Sequence, residues 1–372
     1  MTCRVSRLLL TRYRSYPQAT IEAGPGLVAV VGANGIGKTN ILEALSLLSP
    51  GRGLRAAALN EFSHQGAGGW AVAARVQSGD ETLDLGTGES PDSAQRRVFR
   101  ANGEAASSSA LARALTLIWL TPAQDRLFLE APAERRRFLD RMALALAPEH
   151  AGHVARYEAA LRERQKLLSL PRPDAAWLDI LEQKIAEQAV AVAAARLAHA
   201  QALAAEIAGD GAFPAATLAL EGVLEQALDA GAKALAIEDD VRARLKANRA
   251  ADAQAGRAQF GPHRCDLLVT HRAKQTPAHQ CSTGEQKALL IGLVLAQAQL
   301  VARAQGRLPI LLLDEVAAHL DADRRAALFH LLNELGVQAW MTGTDRALFA
   351  SLGANATLLT IDDGRPMALA LN

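Results

Sequence analysis

The chain has 372 residues, 50% hydrophobic and 21% charged, which excludes wholesale disorder and allows two lobes or one core domain with a large insertion. Its formal net charge of +1 excludes a uniformly basic nucleic-acid binder, so any basic surface has to be local. Three widely spaced cysteines, Cys3, Cys265 and Cys281, with no CxxC pair, argue against a disulfide framework or a zinc site and fit a reducing cytosol.

The N-terminus, MTCRVSRLLLTRYRSY, carries basic residues but no apolar segment of signal-peptide length. Residues 4–10 and 19–31 read as strands, the second ending in LVAVV directly before a glycine-rich loop. In TNILEALSLL the apolar residues Ile41, Leu42, Leu45 and Leu48 recur at helical spacing, and SPGRG stops the pattern. Residues 70–100 alternate apolar and polar, with turns at GDE and GES, and predict antiparallel strands. This is an α+β lobe rather than a repeating βαβ unit. From 107 to about 208 the character is helical, and residues 176–208 would span roughly 50 Å at ~1.5 Å per residue if wholly helical. That stretch suits either an antiparallel arm or a bundle packed on the core, and GDGAFPA (209–215) closes it.

Beyond 260 the pattern returns to a nucleotide-binding lobe. CDLLVTH reads as a strand and STGEQKALLIGLVLAQAQLVARA as a loop opening a long helix. The run LIGLVLAQAQLVA (290–302) is short for a bilayer and carries glutamines, so no membrane span is expected. LPILLLDEV reads as a buried strand ending in two acids, DADRRAALFHLLNEL as an amphipathic helix and VQAWMTGT as the next strand.

Residues 32–39, GANGIGKT, match GxxxxGK[ST] between a strand and a helix, the context a phosphate-binding loop needs. Backbone N–H groups of Gly32, Ala33, Asn34, Gly35, Ile36 and Gly37 would converge on phosphate oxygens at the positive end of the following helix. Lys38 would reach the β- and γ-phosphates of ATP, and the Thr39 hydroxyl would ligate Mg²⁺. An all-apolar strand delivers Asp314 and Glu315 to its carboxyl end, where open α/β sheets bind ligands. Asp314 is expected on Mg²⁺, and Glu315 is expected to polarise an attacking water. Lys38 and Glu315 are therefore the expected catalytic pair. CSTGEQK places Ser282 and Gly284 at a helix N-terminus, which reads as a helix cap by itself. Between a P-loop and a DE strand it looks like an ABC signature loop, which acts on nucleotide held by a second subunit. HLDADRR resembles the D-loop, with Asp321 at its acidic position.

The resemblance then narrows. RYRSY, GANGIGKTNILEAL, SPGRG, TPAQDRLFLEAPAERRRFLD, YEAALRERQKLL, FGPHR-x-DL, STGEQK and PILLLDEV–HLDADRR resemble the RecF family, in the same order, from residue 4 to about 345. The resemblance implies an α/β fold: an ABC-type ATPase head, a P-loop NTPase with an antiparallel β portion, plus an inserted helical domain. The expected divisions are residues 1–115 (lobe with the P-loop), 116–250 (helical domain or arm) and 251–372 (lobe with signature, Walker B and D-loop). It implies a cytoplasmic, slowly ATP-hydrolysing DNA-binding protein that forms an ATP-dependent homodimer. Such proteins act with RecR and RecO to direct RecA to gapped DNA, in recombinational repair, replication and the SOS response. Ser282, Gly284, Gln286 and Lys287 would complete the partner subunit's site in trans.

The chain also departs from the family pattern. SQGQQR becomes STGEQK, so the acidic Glu285 is expected to soften phosphate attraction in trans and with it dimerisation. Where the family has an acidic pair after a proline this chain has Ala123 and Gln124, and Gln124 stands as the Mg²⁺-sensing Q-loop residue. WMTGTD offers Thr342 and Thr344 in place of a switch histidine, which suits a slow switch rather than a motor.

The densest basic positions are Arg135, Arg136, Arg137 and Arg141, then Arg162, Arg164 and Lys166. Phosphate contact with single-stranded, double-stranded or gapped DNA would explain them. A solvated helix face neutralised by Glu134, Glu158 and Glu163 explains them as well. Arg14 is expected near the nucleotide. His263 in FGPHR reads as a structural histidine by residue type, and the resemblance implies a place near nucleotide or DNA for His263 and Arg264. Aromatic residues are 4% of the chain, so stacking on single strands has little support. A transporter subunit is disfavoured because 243 residues separate Thr39 from Ser282, and an SMC- or Rad50-type clamp because one helical stretch is too short for its coiled coil. Another SMC/ABC-type ATPase on DNA, or a scaffold that holds ATP without turnover, remains an alternative.

Overall fold

The computed structural model describes residues 2–65, 68–207, 211–353, 355–362 and 365–369. Contacts divide the chain into two compact units, one of Met1–Asp125, Gly209–Pro214 and Leu290–Asn372, the other of Arg126–Ala208 and Ala215–Leu289. The chain begins with β1 (Cys3–Tyr13), β2 (Tyr16–Glu22), β3 (Leu27–Val31), α1 (Lys38–Ser46), β4 (Ala71–Ser78), β5 (Glu81–Ser90), β6 (Ser93–Ala101), β7 (Glu104–Ala106), α2 (Ser108–Ala114) and β8 (Leu117–Leu120). There follow α3 (Pro132–Ala143), α4 (His150–Leu168), α5 (Ala175–Glu206), β9 (Ala216–Glu221), α6 (Val223–Asp229), α7 (Ala234–Ala247), α8 (Arg249–Ala255), β10 (Asp266–His271) and β11 (Thr276–Pro277). The last stretch holds α9 (Thr283–Gln305), β12 (Ile310–Leu313), α10 (Ala322–Leu335), β13 (Ala339–Gly343), β14 (Thr357–Asp362) and β15 (Arg365–Leu369).

Among the described residues the first unit contains two six-stranded sheets. One is antiparallel, in the order β2-β1-β4-β5-β6-β7. The other runs β15-β14-β3-β13-β12-β8, with every neighbouring pair parallel except β14 and β15. LVAVV, ILLL and AWMTG are buried along their whole length, as strands covered on both faces must be. A single core joins the two sheets and α1, with Leu8, Leu10, Val28, Val30, Leu42, Leu45, Ile310 and Trp340 within it.

Two expectations are corrected here. The strand read over 19–31 is two strands, because AGPG at 23–26 interrupts it with a proline that has no N–H to donate. There the chain is pinned instead by Gly24, whose N–H donates to Thr357 Oγ1 at 2.9 Å and whose carbonyl accepts from Gln338 Nε2 at 2.7 Å. LIWL, read within the helical region, is β8, an edge strand paired in parallel with β12. Four apolar residues in a row carry no period that separates a buried strand from a helix.

The second unit is helical around a three-stranded sheet, β11-β10-β9. α5 is not a free arm. It buries Leu178, Leu181, Ile185, Ala189, Val190, Ala193 and Leu203, and its middle shares a core with Tyr157 of α4 and Ile237, Val241 and Leu245 of α7. Of the expected close of the helical stretch at 209–215, Gly209 and Asp210 lie outside the described residues, as does Ala208 before it. α9 is long and apolar enough to cross a membrane by length and composition, yet 67% of its most apolar window is buried within the fold.

Charge is buried in the second unit as matched networks. Arg164 is 1% exposed, donating to Glu182 Oε1 at 3.0 Å, Asp252 Oδ2 at 2.7 Å and the Leu245 carbonyl at 2.7 Å. Arg249 adds two bonds to Glu182, and Arg196 grips Asp140 through two bonds while reaching the Pro262 carbonyl. Removing one partner of such a network strands the others in a low-dielectric interior. Arg164→Ala is expected to destabilise the second unit by about 3–5 kcal/mol in urea unfolding. Arg164→Ala unfolding at the same urea concentration as wild type would contradict a stabilising role.

Candidate nucleotide site

The phosphate loop leaves β3 and enters α1 through Gly35 and Gly37, at φ 80° and 111°, a region that only glycine occupies without strain. A Cβ on Gly37 would also come within 2.6 Å of Ser15 Oγ and 2.8 Å of Tyr16 Oη. Lys38 is the first residue of α1, and its ammonium donates to the carbonyls of Gly32 at 2.7 Å and Ala33 at 2.8 Å. Burial pulls the Lys38 pKa below its ordinary value, while the nearby Glu315 and Asp314 oppose that shift.

β3 and β12 flank β13 and all three run parallel, so their carboxyl ends lie side by side at one edge of the sheet. Thr39 Oγ1 donates to Asp314 Oδ1 at 2.9 Å. From β13, Thr342 Oγ1 donates to the same oxygen at 2.7 Å and accepts the Glu315 N–H at 2.8 Å. Glu315 has φ 54°, a left-handed conformation uncommon outside glycine. Thr342, read from the sequence only as a stand-in for a switch histidine, holds the Asp314 carboxylate and the Glu315 backbone. A hydroxyl and a carboxylate oxygen 2.9 Å apart are a hard donor set of the kind Mg²⁺ shares with phosphates and water, so Thr39 and Asp314 fit that ion.

The other expected site residues make the following contacts. Gln124 spends its amide oxygen capping Thr121, at 3.0 Å from the backbone N–H. Arg14 is tied to the fully buried Glu43 through Nε at 2.9 Å and Nη2 at 2.8 Å, so it props α1. Ser282, Thr283 and Gly284 are exposed, but Gln286 and Lys287 lie on the buried side of the first turn of α9, with Gln286 donating to the Cys281 carbonyl at 2.8 Å. Glu285 forms a capping arrangement, its Oε2 accepting from the N–H and Oγ of Ser282, both at 2.9 Å. An ion pair with Lys274 and those two bonds hold the Glu285 carboxyl at about 2. Asp321 caps α10, accepting from the Arg324 N–H at 2.8 Å.

The basic candidates separate by environment. Arg164 is buried and Arg135 is locked by two bonds to Asp266, so both are spent inside the fold, while the half-buried Arg136 donates to the Cys265 carbonyl. Arg137 and Arg162 are exposed and face Glu134 and Glu158, and Lys166 is exposed. His263 is bonded to Tyr157 Oη at 2.6 Å and the Ala258 carbonyl at 2.9 Å, and burial holds its pKa below the ordinary histidine value. Arg264 is exposed.

A phosphate loop and a carboxylate pair at the ends of a mostly parallel sheet, joined to an antiparallel sheet, define an ABC-type ATPase head. The family model described as the RecF/RecN/SMC N terminal domain matches residues 4–364. Two similar relatives, each called DNA replication and repair protein RecF, come from Brucella suis biovar 1 and Mesorhizobium japonicum. Both are 48% identical over 97% of this chain, covering 95% and 96% of the respective relatives. The chain belongs to the RecF family. A solved structure of the recombination mediator protein RecF-ATPrS in the RecFOR pathway superposes with a TM-score of 0.84 at 22% identity, covering 99% of each chain. An Smc head domain with an extended coiled coil, bound to the C-terminal domain of ScpA and derived from Pyrococcus furiosus, shares the fold at TM-score 0.53 and 17% identity, covering 100% of this chain and 96% of that one.

Thr342→Val keeps the shape of the side chain and removes the bond that orients Asp314. Supporting residues of this kind typically change metal affinity or activity by about 10–100-fold. Titrating Mg²⁺ in an ATP-binding assay should give a midpoint at least about tenfold higher for Thr342→Val, and an unchanged midpoint would count against the orienting role.

Proposed function

We propose that this protein is an ATP-binding, slowly hydrolysing DNA-binding protein that dimerises on ATP and acts in recombinational DNA repair. The observation that carries the reading is the junction of Lys38, Thr39, Asp314, Glu315 and Thr342 at the carboxyl ends of β3, β12 and β13, in a chain of the RecF family. Relatives named for DNA replication and repair, and a solved RecF-ATP complex, support the same reading.

In this reading the loop 32–39 binds the triphosphate through backbone N–H groups, and Lys38 exchanges its carbonyl partners for phosphate oxygens. Thr39 and Asp314 would hold Mg²⁺, which neutralises phosphate charge when bound. Glu315 accepts a proton from the attacking water. Ser282 and Gly284, exposed at the start of α9, cap the γ-phosphate held by a second copy of the chain. Glu285 faces the same phosphate, but Lys274 neutralises it. With no histidine in WMTGTD, turnover is slow and nucleotide works as a clasp between subunits. In this reading the protein works in the cytoplasm, with RecR as a partner. Arg137, Arg162 and Lys166 are the exposed cations assigned to phosphates of single-stranded, double-stranded or gapped DNA.

Sedimentation with and without ATP tests the clasp. An ATP-dependent dimer is expected, trapped by Glu315→Gln and abolished by Ser282→Arg. A monomer under every condition would refute the two-subunit site. For DNA, the logarithm of affinity should fall linearly with the logarithm of salt concentration. Replacing Arg162 and Lys166 together with alanine should flatten that slope by about 2. An affinity insensitive to salt would sink the electrostatic reading.

A further inference from the structure

The motif RYRSY is not absorbed by the phosphate loop, the carboxylate pair or the signature. Its turn between β1 and β2 presents three consecutive side chains to α1. Arg14 grips Glu43 through two nitrogens, Ser15 Oγ accepts from Asn40 Nδ2 at 2.9 Å, and Tyr16 Oη donates to the Gly37 carbonyl at 3.0 Å. Positions 37, 40 and 43 are three residues apart, so one face of the helix start meets the turn.

The turn is itself fixed. Arg14 has φ 52°, its N–H donates to the Phe62 carbonyl at 2.8 Å, and its carbonyl bonds His64 Nδ1 at 2.6 Å. Glu43 is 0% exposed and also accepts from Tyr13 Oη at 3.1 Å. Tyr16 is 0% exposed, so its hydroxyl is held against the loop without access to water.

The Gly37 carbonyl and the Lys38 N–H belong to one planar peptide unit and point in opposite directions. Anchoring the carbonyl from behind therefore fixes where the N–H points. That N–H is one of the first four of α1, which have no acceptor within the helix and are available to an anion. A hydroxyl donating to the carbonyl also polarises the peptide and strengthens the opposite N–H as a donor.

We propose that Tyr16 is a positioning residue for phosphate binding, holding the Gly37–Lys38 peptide so that its N–H faces the nucleotide, with Arg14 and Glu43 fixing the turn that carries it. This rests on the nucleotide reading of the loop given above. It also gives Gly37 a second reason to be glycine, since any Cβ would displace the anchoring hydroxyl.

Tyr16→Phe removes only the hydroxyl. Calorimetric titration should show ATP, ADP and inorganic pyrophosphate each binding about five- to tenfold more weakly than to wild type. The thermal midpoint without nucleotide and the far-ultraviolet circular dichroism should match wild type. An equal loss for all three ligands locates the effect at the phosphates and separates it from general loosening. A wild type that binds ATP beside a folded Tyr16→Phe with unchanged affinity overturns the inference and leaves the nucleotide reading intact. A wild type that binds no nucleotide overturns both. Should Tyr16→Phe not fold, Arg14→Lys loses the two-nitrogen grip on Glu43 and is expected to weaken the same ligands. Wild-type affinity in that variant would overturn the inference.

Discussion

A parallel sheet buried on both faces can carry polar chemistry only where its strands end. β3, β12 and β13 are apolar along their buried lengths until they reach Gly32, Asp314 and Thr342. Each polar group that emerges must then find a partner, because an unpaired carboxylate near a low-dielectric core is costly. Asp314 finds Thr39 and Thr342, and Lys38 finds two loop carbonyls. The geometry of the candidate site follows from that constraint: three strands ending side by side, with the short side chains at their ends tied to one another.

The same accounting explains where buried charge is tolerated elsewhere. Glu43 is completely buried on the helix that follows the phosphate loop, and Tyr13, Arg14 and Arg55 surround its carboxylate. It ties α1 to the β1–β2 turn, so the apolar core and the ionic contact fix the same helix from different sides. In the second unit Arg164, Glu182, Asp252 and Arg249 form an interior network, and Arg196, Asp140 and His150 form another. Such networks add less net stability than apolar packing would, but they leave few ways to pack the helices that carry them.

Local signals were legible where one residue type has one use. GANGIGKT between an apolar strand and a helix specified a phosphate loop, and ILLLDE specified a buried strand ending in acids, because glycine conformation and continuous burial leave few alternatives. LIWL was not legible, since four apolar residues have no period of their own. The long alanine-rich pattern gave the helix α5 but not its surroundings, because a face of small apolar residues packs on a core or on another helix equally well. Cationic residues were the least legible. Arg164 and Arg162 sit two positions apart in one basic run, yet one is buried in an ion network and the other is exposed, because successive helix positions two apart point in different directions.

The sequence by itself determined the family, the P-loop, the acidic pair and the helical character of the middle of the chain, since each rests on contiguous residues. Only the tertiary structure decided which partners those residues take. Thr342 lies 28 positions from Asp314, and Arg14 lies 29 from Glu43, and no local pattern connects either pair. Strand order brought the first pair together, and the packing of a hairpin turn on α1 brought the second. Both depend on how surfaces far apart in sequence bury their apolar area, and that is settled by the whole fold at once.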